Sequence, residues 1–172
     1  MVTGQDPVPL EICDGMFIHR ENMQNTQEEA DVIIIHQLMW IVDSTANDIN
    51  ITVISDDTDV FVLLVHFYHA RQLTCHVTLE ATSKERKSID IQATALLHNS
   101  IAGQLLAAHA LSGCDTVAQC FGICKTKVVK VLQAGHQLLI IGNSIAPLDE
   151  VIQESITFMA ACYGYVDSYL VC

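Results

Sequence analysis

Short apolar runs alternate with polar turns along this chain, and the pattern predicts alternating strands and helices. Residues 50–55 are rich in β-branched side chains, which is typical of a short buried strand. The apolar spacing before them predicts a helix that ends near Thr45, and residues 60–70 predict a second helix. This order favours an α/β fold with three layers and a mostly parallel sheet.

Further elements follow from turn residues and local spacing. Asp14-Gly15 predicts the turn of a short hairpin over residues 13–19, and Thr26 with Glu29 forms a capping-box pattern at the start of the first helix. A strand is expected at 72–79 and a polar loop at 81–88. Further helices are expected at 90–99, 101–111 (after a break near Ser100), 125–134 and 148–162.

Composition narrows the class of protein. Hydrophobic residues make up 51% of the 172 positions and charged residues 16%, which is typical of a globular chain. No apolar run approaches the roughly 20 residues of a membrane helix, so we expect no membrane partner. The beginning of the chain lacks a signal-peptide pattern, and the seven cysteines include no CxxC pair. We therefore expect an intracellular protein with reduced thiols, in the nucleus or the cytoplasm.

Net charge limits the choice of partner. The formal net charge is −12, with eight Lys and Arg residues against 20 Asp and Glu residues. Nucleic-acid binding depends on cationic side chains that meet phosphates, so any binding of this kind should be weak.

Three acidic clusters indicate a candidate metal or catalytic site: residues 28–31, residues 56–59, and Gly113-Cys114-Asp115. Each lies where a predicted element begins or ends, and such positions can converge at one edge of an α/β sheet. Two carboxylates about 4 Å apart repel by roughly 4 kcal/mol at an effective dielectric near 20. Converging acids therefore favour a hard divalent cation such as Mg²⁺ or Mn²⁺.

Each acid also has a structural interpretation. Glu28, Glu29 and Asp31 suit the first turn of a helix, where negative charge is favourable to the helix dipole. The acids Asp56, Asp57 and Asp115 could be N-cap or turn residues. Both interpretations stay open from the residues alone.

The order of the clusters resembles the internal region of flap-endonuclease/XPG-type 5′-nucleases, in the PIN-like superfamily. The matching stretches are Glu29-Ala30-Asp31, Asp57-Thr58-Asp59, Gly113-Cys114-Asp115 and residues 121–125. The chain is also similar to uncharacterised animal proteins that carry EEAD, DTDV and GCDT motifs. The resemblance covers roughly residues 26–135.

This resemblance implies a PIN-like Rossmannoid fold and a structure-specific nuclease, or a remnant of one, with two Mg²⁺ or Mn²⁺ ions. It implies a catalytic role for three residues, Asp57, Asp59 and Asp115. The implied metal ligands are these three with Glu29 and Asp31. The residues implied to touch the nucleic-acid backbone are Lys125, Lys127 and Lys130.

The resemblance also implies a domain organisation. Residues 1–25 form a lead with a hairpin, 26–135 the nuclease-like region with an eroded helix-turn-helix, and 136–172 a helical segment. The family has a further N-terminal strand that this chain is expected to lack, so we expect either a missing N-terminal segment or a protein partner. A non-catalytic PIN-like protein-interaction module is the alternative function, and a different α/β phosphotransfer enzyme is a third.

Overall fold

The computed structural model describes residues 8–24, 30–45, 49–83, 87–114 and 117–165. Within these residues the chain forms five strands and seven α-helices, together with the short 3-10 helix Glu21–Met23. The predicted α/β class is confirmed. The larger of the two sheets has only three strands, with one parallel and one antiparallel pair.

A β-hairpin comes first, as the Asp-Gly pair predicted. Strands β1 (Leu10–Cys13) and β2 (Met16–His19) pair antiparallel. Asp14 and Gly15 both have positive φ, at 50° and 77°. Two such residues form the turn whose twist matches that of the flanking strands.

The predicted strand–helix–strand order is confirmed in the next segment. Its elements are α1 (Ala30–Ser44), β3 (Asn50–Ile54), α2 (Thr58–Ala70) and β4 (His76–Glu80). Strands β3 and β4 are parallel, with Asn50 opposite His76 and Ile54 opposite Glu80. The carboxyl ends of both strands therefore lie at the same edge of the sheet. The capping-box pair Thr26 and Glu29 lies outside the described residues.

One predicted helix start is wrong. Asp90 was expected to begin a helix, but Ile89–Asp90 forms strand β5, which pairs antiparallel with β4. The carboxylate of Asp90 also lies 3.4 Å from Nε2 of His76, at the beginning of β4. Pairing with a distant strand thus overrides the local helical pattern here.

The end of α2 explains why β4 begins later in the chain than predicted. The N–H of Leu73 donates to the carbonyl of Tyr68, and the N–H of Gln72 donates to the carbonyl of His69, both at 3.1 Å. These two bonds define a Schellman motif, in which Gln72 takes a positive φ of 50°. Gln72 and Leu73 therefore complete the helix end, and β4 begins only at His76 instead of the predicted Gln72.

The remaining helices are α3 (Ile91–Leu97), α4 (Asn99–Ala102), α5 (Leu105–Ser112), α6 (Lys125–Gln133) and α7 (Leu148–Tyr163). The expected break near Ser100 occurs two residues earlier, at His98, and Ser100 itself lies inside α4. The helices are interrupted at His98 and at Gly103-Gln104. Glycine has a low helix propensity, which accounts for the second interruption. Helices α6 and α7 have nearly the predicted bounds.

Two compact units result, and α2 passes from one to the other. For the described residues, one unit lies within Met1–Phe61 and Thr74–Asp90, and the other lies within Val62–Leu73 and Ile91–Cys172. In the second unit α6 packs against α5 and α7. Its buried core cluster consists of Ile101, Ala108, Ile123, Val128, Leu132, Leu138, Phe158 and Cys162.

Candidate functional site

The turn between β3 and α2 places Asp57 at the N-cap of α2. Oδ1 of Asp57 accepts the N–H of Asp59 at 2.8 Å, and the carbonyl of Asp57 accepts the N–H of Phe61 at 3.3 Å. The hydroxyl of Ser55 accepts the N–H of Asp57 at 3.0 Å. The Asp57 carboxylate is therefore held at the positive end of the helix dipole, where negative charge is stabilised.

Asp56 connects this turn to the segment after β4. Its Oδ2 accepts a hydrogen bond from the hydroxyl of Thr82. The N–H of Ser55 donates to the carbonyl of Glu80 at 2.9 Å, which extends the contact between the strands beyond Ile54. Two acids that the sequence placed at a strand end thus lie at the carboxyl edge of the parallel pair, as predicted.

A cavity of about 210 Å³ opens at this edge. Among the described residues it is lined by Ser55, Asp56, Asp57, Thr58, Phe61, Leu79, Ala81, Lys87 and Ile89. The two carboxylates contribute two negative charges, Lys87 one positive charge, and the N-terminus of α2 about half a positive charge. The cavity therefore carries roughly half a negative charge, which is much less than the sequence pattern suggested.

Asp59 and Asp31 occupy first helical turns and are half-buried. Oδ1 of Asp31 accepts the N–H of Val32 at 2.9 Å. Neither residue is among the described residues that line the cavity. Both positions satisfy the preference of the helix dipole for acids near its N-terminus.

Glu29 and Asp115 lie outside the described residues, so the predicted convergence of all five acids stays a prediction. In the described part of the chain no three His, Cys, Asp or Glu side chains are grouped closely enough to hold a metal ion. The oxygen donors of Asp56 and Asp57 are of the type that Mg²⁺ prefers. A complete set of protein ligands would therefore need Glu29 or Asp115 in addition.

Lys125, which was expected to touch nucleic acid, binds the end of α5. Its Nζ donates to the carbonyl of His109 at 2.9 Å, to the hydroxyl of Ser112 at 3.0 Å and to the carbonyl of Gly113. An ammonium group has three N–H donors, and these acceptors match that number. A cation at the C-terminal end of a helix is favourable to its dipole.

Sequence reasoning missed this role of Lys125 and the part played by Ser112, which is 1% exposed and donates to the carbonyl of Ala108 at 2.7 Å. One feature of the sequence could have indicated the role of Lys125. Lys125 is the first residue of α6, where a positive charge is unfavourable to that helix's own dipole. A lysine at such a position calls for an anionic or carbonyl partner elsewhere.

Gly113, the first residue after α5, lies against the backbone of Gln119. Gly113 has a φ of 106°, and a Cβ atom added to it would lie 2.5 Å from Cα of Gln119. The side chain of Gln119 donates to the carbonyl of Ile123 at 3.0 Å. Cys114 and Val117 exchange both of their backbone hydrogen bonds, at 3.0 and 3.1 Å. Only glycine fits this backbone, which gives the glycine of the Gly-x-Asp motif a structural explanation.

The other two basic residues of α6 are placed differently. Lys127 and Lys130 are exposed on the helix surface. Their predicted contact with nucleic acid stays a prediction.

Comparison with protein-family models, with curated proteins and with solved structures finds no significant match. No helix in the described ranges has both the length and the apolar character needed to cross a bilayer.

Proposed function

We propose that this chain is a divalent-metal-dependent phosphodiesterase of the PIN-like type, similar to flap-endonuclease/XPG-type 5′-nucleases, or a remnant of one. The supporting observation is the position of Asp57-Thr58-Asp59 after the carboxyl end of a parallel strand, beside a cavity that Asp56 and Asp57 line. Ligands of α/β folds gather at this end of the sheet. The cofactor is Mg²⁺ or Mn²⁺, and an intracellular location, nuclear or cytoplasmic, belongs to the same proposal.

In this proposal Asp57, Asp59 and Asp115 are the catalytic carboxylates, and Glu29 and Asp31 complete the ligand set. Two bound ions would supply an activated water and neutralise the charge of the scissile phosphate. The chain's own contribution begins with Asp57, whose carboxylate is held by the N–H of Asp59 at 2.8 Å. A ligand oriented in this way loses little side-chain entropy when it binds an ion.

Lys127 and Lys130 would meet the nucleic-acid backbone, because both are exposed on α6. Replacing either residue should lower the salt dependence of nucleic-acid binding by about one phosphate contact. Lys125 should leave that salt dependence unchanged, since its ammonium is bound to α5.

A pair of variants separates the metal role of Asp57 from its capping role. Asn caps a helix as well as Asp does, so Asp57→Asn removes the charge and keeps the cap, whereas Asp57→Ala removes both. If Asp57 is a metal ligand, Mn²⁺ should raise the Tm of the wild type and not that of Asp57→Asn. A metal at about 100 times its Kd stabilises a protein by about 2.7 kcal/mol.

Cleavage of a 5′-flap DNA and of a single-stranded RNA in Mn²⁺ gives the second readout. Activity in the wild type that is lost in Asp57→Asn at unchanged Tm supports the proposed enzyme. Absence of both cleavage and a metal-dependent Tm shift would refute an active metal site and leave the alternative function.

That alternative is a non-catalytic PIN-like protein-interaction module. It is favoured by the structural bonds of the acids, since Asp57 caps α2 and Asp56 accepts from Thr82. In this case Asp57→Asn should lose only the small stabilisation that the helix dipole gives to the charge and should be neutral in the metal and cleavage assays, and Asp57→Ala should cost about 1 kcal/mol through loss of the cap.

A further inference from the structure

One face of α1 borders a cavity of about 290 Å³. The residues of α1 that line it follow the spacing i, i+3, i+4 and i+7 of a single helical face: Ile33, His36, Gln37 and Trp40. Ile35 and Leu38, the buried residues of α1, lie on the opposite side of the helix. The other wall of the cavity consists of Asn22, Met23 and Gln24, in and just after the 3-10 helix. We call this space the Trp40 cavity.

The lining of the Trp40 cavity is uncharged, although the chain has a formal net charge of −12. The described residues around it include no Asp, Glu, Lys or Arg, and they present three carboxamides, an imidazole and an indole. Small-molecule sites typically occupy about 300–1,000 Å³ and combine apolar walls with a few polar groups. The size and the lining of the cavity therefore suit one small neutral molecule better than an ion.

Gln37 supplies a hydrogen-bond donor to this lining. Its Nε2 is buried and has no hydrogen-bond partner within the described part of the chain. A buried donor without an acceptor is unfavourable, so a ligand that supplies an acceptor gains free energy on binding. The carboxamide also carries an acceptor oxygen, and the broad preference of its last torsion allows both polar atoms to turn toward the cavity.

Trp40 supplies a flat aromatic surface. The guanidinium carbon of Arg20 lies 5.3 Å from the centroid of the Trp40 ring, and Arg20 is itself paired with Glu11. This cation–π contact fixes the indole, while Trp40 still lines the cavity. Aromatic side chains stack on planar rings, and nucleobases are favoured because every base has a π face. A planar ligand therefore gains more from this wall than a saturated ligand of the same size.

We propose that the Trp40 cavity binds a neutral planar heterocycle of the nucleobase class, which stacks on Trp40 and pairs with the carboxamide of Gln37. Adenine presents a ring acceptor beside an amino donor, and glutamine pairs with this edge through both atoms of its carboxamide. A purine also offers a larger stacking surface than a pyrimidine. The site is independent of the proposed metal chemistry, because none of its lining residues belongs to the three acidic clusters.

The test uses the fluorescence of Trp40, which is the only tryptophan in the sequence. Adenosine is titrated into the protein in the presence of EDTA, so that the result does not depend on a metal, and stacking should change the indole emission. Equilibrium dialysis gives the Kd without relying on Trp40. Ligand efficiencies of drug-sized molecules correspond to a Kd of about 0.1 mM for a nucleoside. Ribose, which lacks the base, is the control and should not bind.

The variant pair is Gln37→Leu on α1 and Gln133→Leu, which changes an exposed glutamine at the end of α6. Gln37→Leu should weaken adenosine binding about five- to tenfold through loss of the pairing edge, whereas Gln133→Leu should leave it unchanged. The Tm of the free protein should not fall in Gln37→Leu, because the substitution removes an unpaired buried donor. By dialysis, Trp40→Leu should weaken binding about tenfold and Trp40→Phe less, since phenylalanine keeps a stacking face.

A free nucleoside and a base within a nucleic-acid strand present the same ring, and an oligoadenylate distinguishes these sources. Binding no tighter per adenine than that of adenosine indicates a nucleoside site, and tighter binding that Gln37→Leu weakens indicates a base of a strand. Absence of adenosine binding up to about 2 mM, equal binding of ribose, or equal effects of Gln37→Leu and Gln133→Leu would overturn the proposal. Adenosine monophosphate that binds more than tenfold tighter than adenosine would also overturn it, since a phosphate would then be the recognised group.

Discussion

The hydrogen bonds that Lys125 donates to the end of α5 lead to a prediction about stability. Lys125→Met keeps the length and most of the apolar stem of the side chain but removes the charge and all three donors. The carbonyls of His109 and Gly113 and the hydroxyl of Ser112 then lose this partner. A single hydrogen bond to a charged group contributes about 1.5–3 kcal/mol, and a cation at a helix C-terminus about 0.3–1 kcal/mol.

The expected loss in the free energy of unfolding of Lys125→Met is smaller than the sum of these values. Lys125 is only half-buried, so water can replace part of what the variant loses. A loss of about 2–3 kcal/mol remains, because Ser112 is 1% exposed and the variant offers its hydroxyl no replacement donor at this position. This corresponds to a fall in Tm of roughly 5–10 °C for a chain of this size.

Thermal unfolding of Lys125→Met should be compared with that of Lys127→Met, which changes an exposed lysine on the same helix. The control should stay within about 0.5 kcal/mol of the wild type. Acylation of the folded protein, followed by mass spectrometry, should modify Lys125 more slowly than Lys127. A Lys125→Met variant as stable as its control, or equal acylation of both lysines, would show that the bonds to α5 contribute nothing.

Four further substitutions test the backbone and a partly buried histidine. Gln72→Gly should raise stability by about 0.5–1 kcal/mol, because relief of the left-handed backbone outweighs the added freedom of the unfolded chain. Gly164→Ala, at the same position of the Schellman motif that ends α7, should lower stability by about 1 kcal/mol, and denaturant unfolding of the two variants checks both signs. Gly113→Ala should cost about 2–5 kcal/mol through backbone strain and the contact with Gln119, and soluble expression at wild-type Tm would contradict this. Burial lowers the pKa of His66, against weaker opposing hydrogen bonds to the backbone at Ala102 and Gly103. The unfolded state therefore takes up the proton first, so the contribution of His66 to stability is present above the ordinary histidine range and is lost as the pH falls through it. From about pH 7.5 to about pH 5.5 the Tm of the wild type should fall more than that of His66→Gln, and equal slopes would contradict the assignment.

Elements fixed by local chemistry could be predicted from the sequence. Asp14-Gly15 specifies a hairpin turn by its tolerance of positive φ, and the β-branched residues before Asp56 specify a short strand. Strand β5 could not be predicted in this way. It is only two residues long, which is too short for a periodic signal, and it exists because β4 offers it a pairing edge.

In the candidate site, too, local sequence predicts some features and not others. The position of Asp57 at a strand end follows from neighbouring residues, and the structure confirms it. Its chemical role does not follow, because a helix cap and a metal ligand require the same residue type at the same position. The partners of Lys125 lie 12 to 16 residues before it in the chain, and no local pattern identifies contacts over that distance.

The capping role of Asp57 affects how related sequences should be compared. A residue that caps a helix is retained by selection for folding, even in a lineage that has lost its catalytic activity. The acid would then persist after the chemistry had gone, and substitutions at position 57 would be limited at first to other capping residues such as Asn, Ser or Thr. The Asp-x-Asp motif alone is therefore weak evidence that a homologue is an active enzyme. Catalytic positions whose side chains make no structural hydrogen bond would be substituted sooner after activity is lost, so they would report the change in function earlier.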